Sequence, residues 1–538
     1  MAATLAKRSS RSLTALAQQS PKSFLQRQIL MRNGKGVCMR SFQASSLRLG
    51  LFVALAAPFA IGQLGIGPIT TNVKFAKKRI GHPASTIAEG FKLQQIVTGT
   101  NSIENPSGVI TNFGVLANGT LTEADENTYL VFDQNPGGPV PGYHYGRHFL
   151  FQGHENAGNL AYVTRINMDI TDKAHRITLL TPVGASGLTN YNAIDGSVYL
   201  PLSKKLLFTQ EDGGAVIEAN VTWPANAHTL DGVLGNPAFF EGVHPDDQGN
   251  LVFCEDLGGT SVNIDPNDPN SPKVARQPNS FVYRFVPTDV SNLDAGGKLQ
   301  ALQVSIDGVP VVFHADDPVG DTFSLNQLRL HTPGTSYAVQ WVTVHDTAVD
   351  GTAAFNPNSL AKAASATPFK RPENFQFLPG SNYQTFFFDT TGDTNALAGA
   401  VPALAQRGTW GSIFRVDLSE DRNSGSISIF VLGTANQASF DNLSFADDRT
   451  LIAAEDRGDT LDSQLNRLDS IWAYTTDGSQ APHRFVALGR DKIAEVKGDN
   501  EPTGTHVSNG SMVPGEQPGT IDCPLFRIGR VGFSLVVR

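Results

Sequence analysis

Three short segments of this chain follow one plan: Leu206–Gly214 (LLFTQEDGG), Leu251–Gly259 (LVFCEDLGG) and Leu451–Asp459 (LIAAEDRGD). Each is an apolar run that ends in Glu-Asp, with glycine two or three residues past the Glu. Each follows a turn and an earlier strand that opens with an acid and a small or polar residue: Asp195-Gly196, Glu241-Gly242 and Asp441-Asn442. A fourth copy opens at Glu373-Asn374 and closes at Asp389, so the acid-to-acid spacings are 16, 14, 16 and 14 residues. Aromatic and β-branched runs recur later in the unit, at residues 159–169, 280–287, 412–418 and 470–476. Bounded by Gly, Asn, Asp and Pro, they read as strands.

Openings at residues 195, 241, 373, 441 and 501 are 46, 132, 68 and 60 residues apart. The long gap is read as two units, one of them disguised around residues 301–317. Small antiparallel sheets repeated at this interval predict an all-β fold, a β-propeller of about six blades filling residues 89–538 as one domain. A β-sandwich is the main alternative, but it would not repeat its acids.

Composition supports a turn-rich globular body. Only 17% of the 538 residues are charged, which excludes coiled coil and charge-driven disorder. The 52 Gly and 31 Pro follow no triplet period, which excludes collagen. Charge divides sharply along the chain. Residues 1–88 hold 13 Lys and Arg and no acid, whereas residues 89–538 hold 28 basic and all 50 acidic residues. Such a body lacks the clustered cations that a nucleic-acid surface needs.

Residues 1–62 read as a targeting leader, with an apolar stretch at 49–62 that fits a signal peptide and is short for a membrane span. Residues 63–88 are the linker to the body. The expectation is a secreted or periplasmic protein, with an organelle as the alternative because the leader is rich in Ser and Arg. The mature form is expected to be free of the membrane and monomeric. The 3 cysteines, Cys38, Cys254 and Cys523, suit neither a disulfide scaffold nor a zinc site.

If the repeated hairpins are the inner hairpins of blades, radial repetition brings their acids to one mouth of the channel. These are Glu211, Glu241, Glu255, Glu373, Asp389, Asp441, Glu455 and Glu501. Carboxylates about 6 Å apart repel by roughly 3 kcal/mol at an effective dielectric near 20. Several together need protons or cations, and hard oxygen donors favour Ca²⁺, Fe³⁺ or Mn over zinc. A single Glu-Asp-x-Gly piece is an ordinary solvent-facing turn; four in register with paired opening acids point to metal.

In order along the chain, GHENAGN (153–159), LLFTQEDGG, LVFCEDLGG, WVTVHD (341–346), KRPENFQF (370–377), WGSIFRV, DNLSFADDRTLIAAEDRGD and EPTG (501–504) resemble the PhoX-type alkaline phosphatases. The resemblance spans roughly residues 90–520. It implies a six-bladed propeller, export from the cytoplasm, and a phosphomonoester site holding calcium and iron among carboxylates. It makes Glu255 a metal ligand, with Asp256 in place of the family's second Glu, and adds Glu373, Glu155 and Glu501; Asp441 and Glu455 follow by repeat register. Glu255, Glu373 and Arg371 are the expected catalytic residues, Arg371 as a partner for a phosphoryl oxygen. The family's iron-ligating cysteine loop is missing: the stretch EGVHPDDQGNLVF has no Cys, and Glu241 stands 14 residues before Glu255. Calcium is therefore the expected cofactor, with iron the second.

Other constellations carry less. His144, His148, His154 and Glu155 lie on a strand, where residues four apart are about 13 Å from each other. His345-Asp346 and Arg457 have structural readings at least as good as functional ones. There is no nucleophile elbow, P-loop or dinucleotide fingerprint. Two competing functions remain open: a calcium-dependent propeller lactonase, and a calcium-stabilised binding module without turnover.

Overall fold

The computed structural model describes residues 85–89, 91, 96–116, 118–155, 158–181, 189–488 and 502–508, with short stretches at 27–28, 72–74 and 532–537. The apolar leader stretch, Cys38, Glu501 and Cys523 lie outside the described residues. No described helix is long and apolar enough to cross a membrane.

The strands form antiparallel sheets. The first blade comprises β1 (Glu123–Val131), β2 (His148–Glu155), β3 (Tyr162–Asn167) and β4 (Ile177–Leu179). The second comprises β5 (Ile194–Leu200), β6 (Lys205–Gln210), β7 (Ile217–Asn220) and β8 (Ala227–Thr229). The third runs β9 (Phe240–Pro245), β10 (Leu251–Glu255), β11 (Val282–Pro287), β12 (Gly297–Ile306). Next in the chain comes β13 (Tyr337–Asp346), followed by the fourth blade of β14 (Pro372–Phe377), β15 (Thr385–Thr390), β16 (Ser412–Leu418) and β17 (Ser424–Leu432). The fifth has β18 (Phe440–Asp447), β19 (Thr450–Glu455), β20 (Ser470–Thr475) and β21 (His483–Ala487). Finally β22 (Pro502–Ser508) pairs with β23 (Gly532–Val537). Strand β13 pairs with β12 on one side and β17 on the other, so it stitches the outer edges of the third and fourth blades together.

The inner strands close a ring: β1 packs on β5, β5 on β9, β9 on β14, β14 on β18, β18 on β22, and β22 on β1. This is a β-propeller, and the ring excludes the sandwich. Two details of the expected repeat are corrected. Residues 301–317 supply the outer strand β12 and its hairpin with Val309–Pro310, not a separate blade. The additional inner strand is β1, whose opening pair Asp125-Glu126 lacks the small or amide residue that marked the others.

Blade packing explains the continuous apolar runs. Successive strand residues point to opposite faces, and here both faces meet a neighbouring blade. In β15, Phe386 and Phe388 enter the core between the third and fourth blades, while Phe387 enters the core between the fourth and fifth. In β10, Phe253 faces the second blade's side, and Val252 and Cys254 face the fourth.

The first five inner strands also carry a bulge at their acids. The register shifts between Ala124 and Asn127, Ile194 and Ser197, Phe240 and Val243, Pro372 and Phe375, and Phe440 and Leu443. The bulged pairs are Asp125-Glu126, Asp195-Gly196, Glu241-Gly242, Glu373-Asn374 and Asp441-Asn442. A bulge bends the strand and re-aims a side chain. Glycine follows the acid where backbones touch: a Cβ on Gly196 would stand 2.1 Å from Glu241 O, and one on Gly242 2.8 Å from Asn374 Cα.

Candidate metal centre

The bulges deliver the opening acids to one mouth of the ring, where they meet the residues that follow the second strands. Asp195, Glu211 and Glu241 form one group of three carboxylates, and Glu241, Asp256 and Glu373 form another. Within each group the nearest oxygens lie within 4.8 Å of one another, and Glu241 belongs to both. Asp195, Glu241, Asp256 and Glu373 are buried and Glu211 is partly buried.

At about 5 Å and an effective dielectric near 20, each pair of charges repels by about 3 kcal/mol. Burial together with neighbouring carboxylates pushes Asp195, Glu211 and Glu241 well above the usual carboxylate range. For Glu373, burial and Asp256 raise the carboxyl to about 8, with Arg371 opposing them. Arg371 donates from Nε to both oxygens of Asp256, at 2.7 and 2.9 Å, and its Nη2 lies 3.6 Å from Glu373 Oε1.

The donor set fits a hard cation. All ligand atoms are carboxylate oxygens, and they lie within 4.8 Å of one another, inside the span that oxygens around one calcium at 2.3–2.6 Å can reach. The buried Oε1 of Glu373 accepts no hydrogen bond. Cys254, a free buried thiol, belongs to neither group.

The expected ligands divide. Glu211, Glu241, Asp256 and Glu373 come together. Glu155 and Asp441 flank them, close enough to disfavour ionisation of Asp195. Three others lie outside both groups. Glu255 turns into the third blade's core, where its Oε2 accepts from Phe281 N–H, Tyr283 OH and Asn358 Nδ2. Glu455 turns into the fifth blade, accepting from Ala438 N–H, Ser470 N–H and the buried Arg457. Asp389 is fully buried behind Asn374, whose N–H it accepts at 2.9 Å. The reason is strand alternation: Glu255 pairs with Phe240 and shares the face of Phe253, so Asp256, one residue on, takes the opposite face, where it meets Arg371 of the fourth blade. Asp195 belongs to the first group but is not among the expected ligands, although it has the same bulge register as Glu241.

The histidines form no described metal group: His148 pairs with Asp169, and His154 contacts Thr164 inside its blade. His345 stacks on Phe355 with Nε2 3.1 Å from Gly351 O, a structural role.

One family model matches this sequence, over residues 275–495. That family is alkaline phosphatase PhoX. The matched span includes Arg371, Glu373 and Asp441 of the mouth. The chain is also similar in structure to Pseudomonas fluorescens PhoX, solved with vanadate, a transition-state analogue. That likeness has a TM-score of 0.51 and 12% identity, over 87% of this chain and 97% of that one. A hypothetical selenium-binding protein from Sulfolobus tokodaii is similar at a TM-score of 0.33 and 11% identity, over 68% and 82% of the two chains. No curated protein matches the sequence. The PhoX resemblance and the propeller fold therefore stand.

Proposed function

We propose that this protein is a calcium-dependent phosphomonoesterase acting at the acidic mouth of its propeller, with iron(III) as the second candidate ion. The observation that carries this reading is the pair of three-carboxylate groups joined by Glu241, with a guanidinium at their edge. Asp195, Glu211, Glu241, Asp256 and Glu373 would hold the ions. Bound there, cations would polarise the phosphoryl group and lower the pKa of an attacking water.

The chain's own part is orientation and charge. Arg371 commits Nε and Nη2 to Asp256, and Nη1 is its donor for a phosphoryl oxygen. Burial of the carboxylates keeps the local dielectric low, so fixed charges act strongly on charge developing in the transition state. A small phosphomonoester is the substrate class, and the apolar stretch at 49–62 supports export.

Elemental analysis of protein purified without chelator, run beside hydrolysis of p-nitrophenyl phosphate, tests this reading. Bound calcium with vanadate-sensitive turnover supports it. Metal-free protein, or a calcium-loaded protein inert on phosphomonoesters, overturns it.

A further inference from the structure

Glu255 is fully buried, and a single oxygen, Oε2, accepts all three of its hydrogen bonds: Phe281 N–H at 3.0 Å, Tyr283 OH at 3.2 Å and Asn358 Nδ2 at 3.0 Å. Asn358 lies on helix α1 (Pro357–Ala363), in the connection that leads from β13 to β14. Its amide also donates to Asn279 O at 2.7 Å, and Lys362 of the same helix donates to Asn279 Oδ1.

The stretch gathered this way is itself paired with the approach to the mouth. Asn279 and Ser280 donate their N–H groups to Phe369 O, and Phe369 N–H donates to Ser280 O at 2.7 Å. Two residues on, Arg371 has φ 57°, the left-handed region that a residue with a side chain holds only when its surroundings impose it. Its guanidinium then returns to Asp256, the residue after Glu255. The contacts close a circuit through Glu255, Phe281, Ser280, Phe369, Arg371 and Asp256.

We propose that Glu255 is a positioning residue that, through Asn358 and the 279–281 stretch, fixes Arg371 and Asp256 at the mouth without touching an ion or the substrate. The circuit stands on geometry alone; the consequence for phosphoryl binding rests on the phosphatase reading. Two other blades bear on it. Glu455, at the same register, makes the equivalent bond to Ser470 N–H at the start of the next strand. Gln210, at that register in the second blade, accepts from Asn192 N–H at 2.7 Å with no charge. Glutamine therefore serves at this register in the second blade, where its Nε2 donates to Ala215 O.

The test compares Glu255→Gln and Asn358→Ala in the calcium-loaded full chain. Glu255→Gln is expected to keep its calcium, with kcat and KM for p-nitrophenyl phosphate within about threefold of the parent. Asn358→Ala is expected to raise KM about tenfold with kcat within about threefold. Amide exchange over residues 369–373 should be about tenfold faster in Asn358→Ala and unchanged in Glu255→Gln. Loss of calcium, or a fall in activity of about a hundredfold, in Glu255→Gln would make Glu255 an ion ligand and end the proposal. Unchanged exchange in Asn358→Ala would break the circuit. Should that variant not fold, Tyr283→Phe removes one donor to Glu255 and repeats the exchange comparison. A parent inert on phosphomonoesters sinks the phosphatase reading alone and leaves the calcium and exchange results decisive for Glu255.

Discussion

Asp256 and Arg371 join the third and fourth blades through one shared guanidinium: Arg371 Nε lies 2.7 Å from Asp256 Oδ1 and 2.9 Å from Oδ2. The same side chain lies 3.6 Å from Glu373 Oε1, so a single cation serves two carboxylates of one group. Arg371→Lys keeps the charge but loses the fork that grips both oxygens. The expected result is a rise of about tenfold in KM for p-nitrophenyl phosphate with calcium content unchanged, measured by steady-state kinetics and elemental analysis.

Glu373 is a buried acid 3.6 Å from that guanidinium and a member of the second three-carboxylate group. Glu373→Gln removes one negative charge with little change in shape. Activity should fall by about a hundredfold or more, with loss of bound calcium, while the melting temperature in chelator holds or rises. A variant that keeps half its activity and its calcium would remove Glu373 from the site.

Without cations the mouth is stabilised by protons. Glu373 is raised to about 8 by burial and Asp256, and burial with neighbouring carboxylates likewise pushes Asp195, Glu211 and Glu241 well above the usual carboxylate range. A carboxyl whose folded pKa exceeds its unfolded value binds more protons when folded, so its stability contribution is complete below the unfolded pKa. It is lost as pH rises through the folded pKa. Chelated protein should therefore lose stability from about pH 4.5 upward through pH 8, at roughly 1.4 kcal/mol per pH unit for each proton difference. Calcium at about 100 times its Kd should restore about 2.7 kcal/mol, and bind more tightly as pH rises. Melting curves with and without chelator at several pH values check both signs.

Gly196 stands where the second inner strand meets the third: an added Cβ would lie 2.1 Å from Glu241 O and 2.6 Å from Thr209 Oγ1. Backbone cannot yield there without moving Glu241. Gly196→Ala should cost about 2–4 kcal/mol in urea unfolding and weaken calcium binding.

Much of the fold was legible because its signals are local. Apolar runs such as LLFT and TFFFDT, bounded by turn residues, mark strands buried on both faces, and their recurrence marks blades. The first blade escaped because Asp125 is followed by Glu126 and its second strand closes in His154-Glu155. Residues 301–317 were misread because an outer strand and its hairpin have the same composition as an inner pair.

At the site, the sequence by itself determined that acids recur at the ends of inner hairpins, with Glu211, Glu241 and Glu373 among them, while Asp256 entered only through the family resemblance. It did not determine which acid of each Glu-Asp pair faces the channel. Matched by identity, Glu211, Glu255 and Glu455 look equivalent. Matched by pairing, Glu211 is equivalent to Asp256 and Asp456, because Gln210, Glu255 and Glu455 oppose Ile194, Phe240 and Phe440. A shift of one residue exchanges the two faces of a strand. The partner strand and its bulge set that register, and neither is encoded within the segment they orient, so only the tertiary structure sends Asp256 to the mouth and Glu255 into the blade.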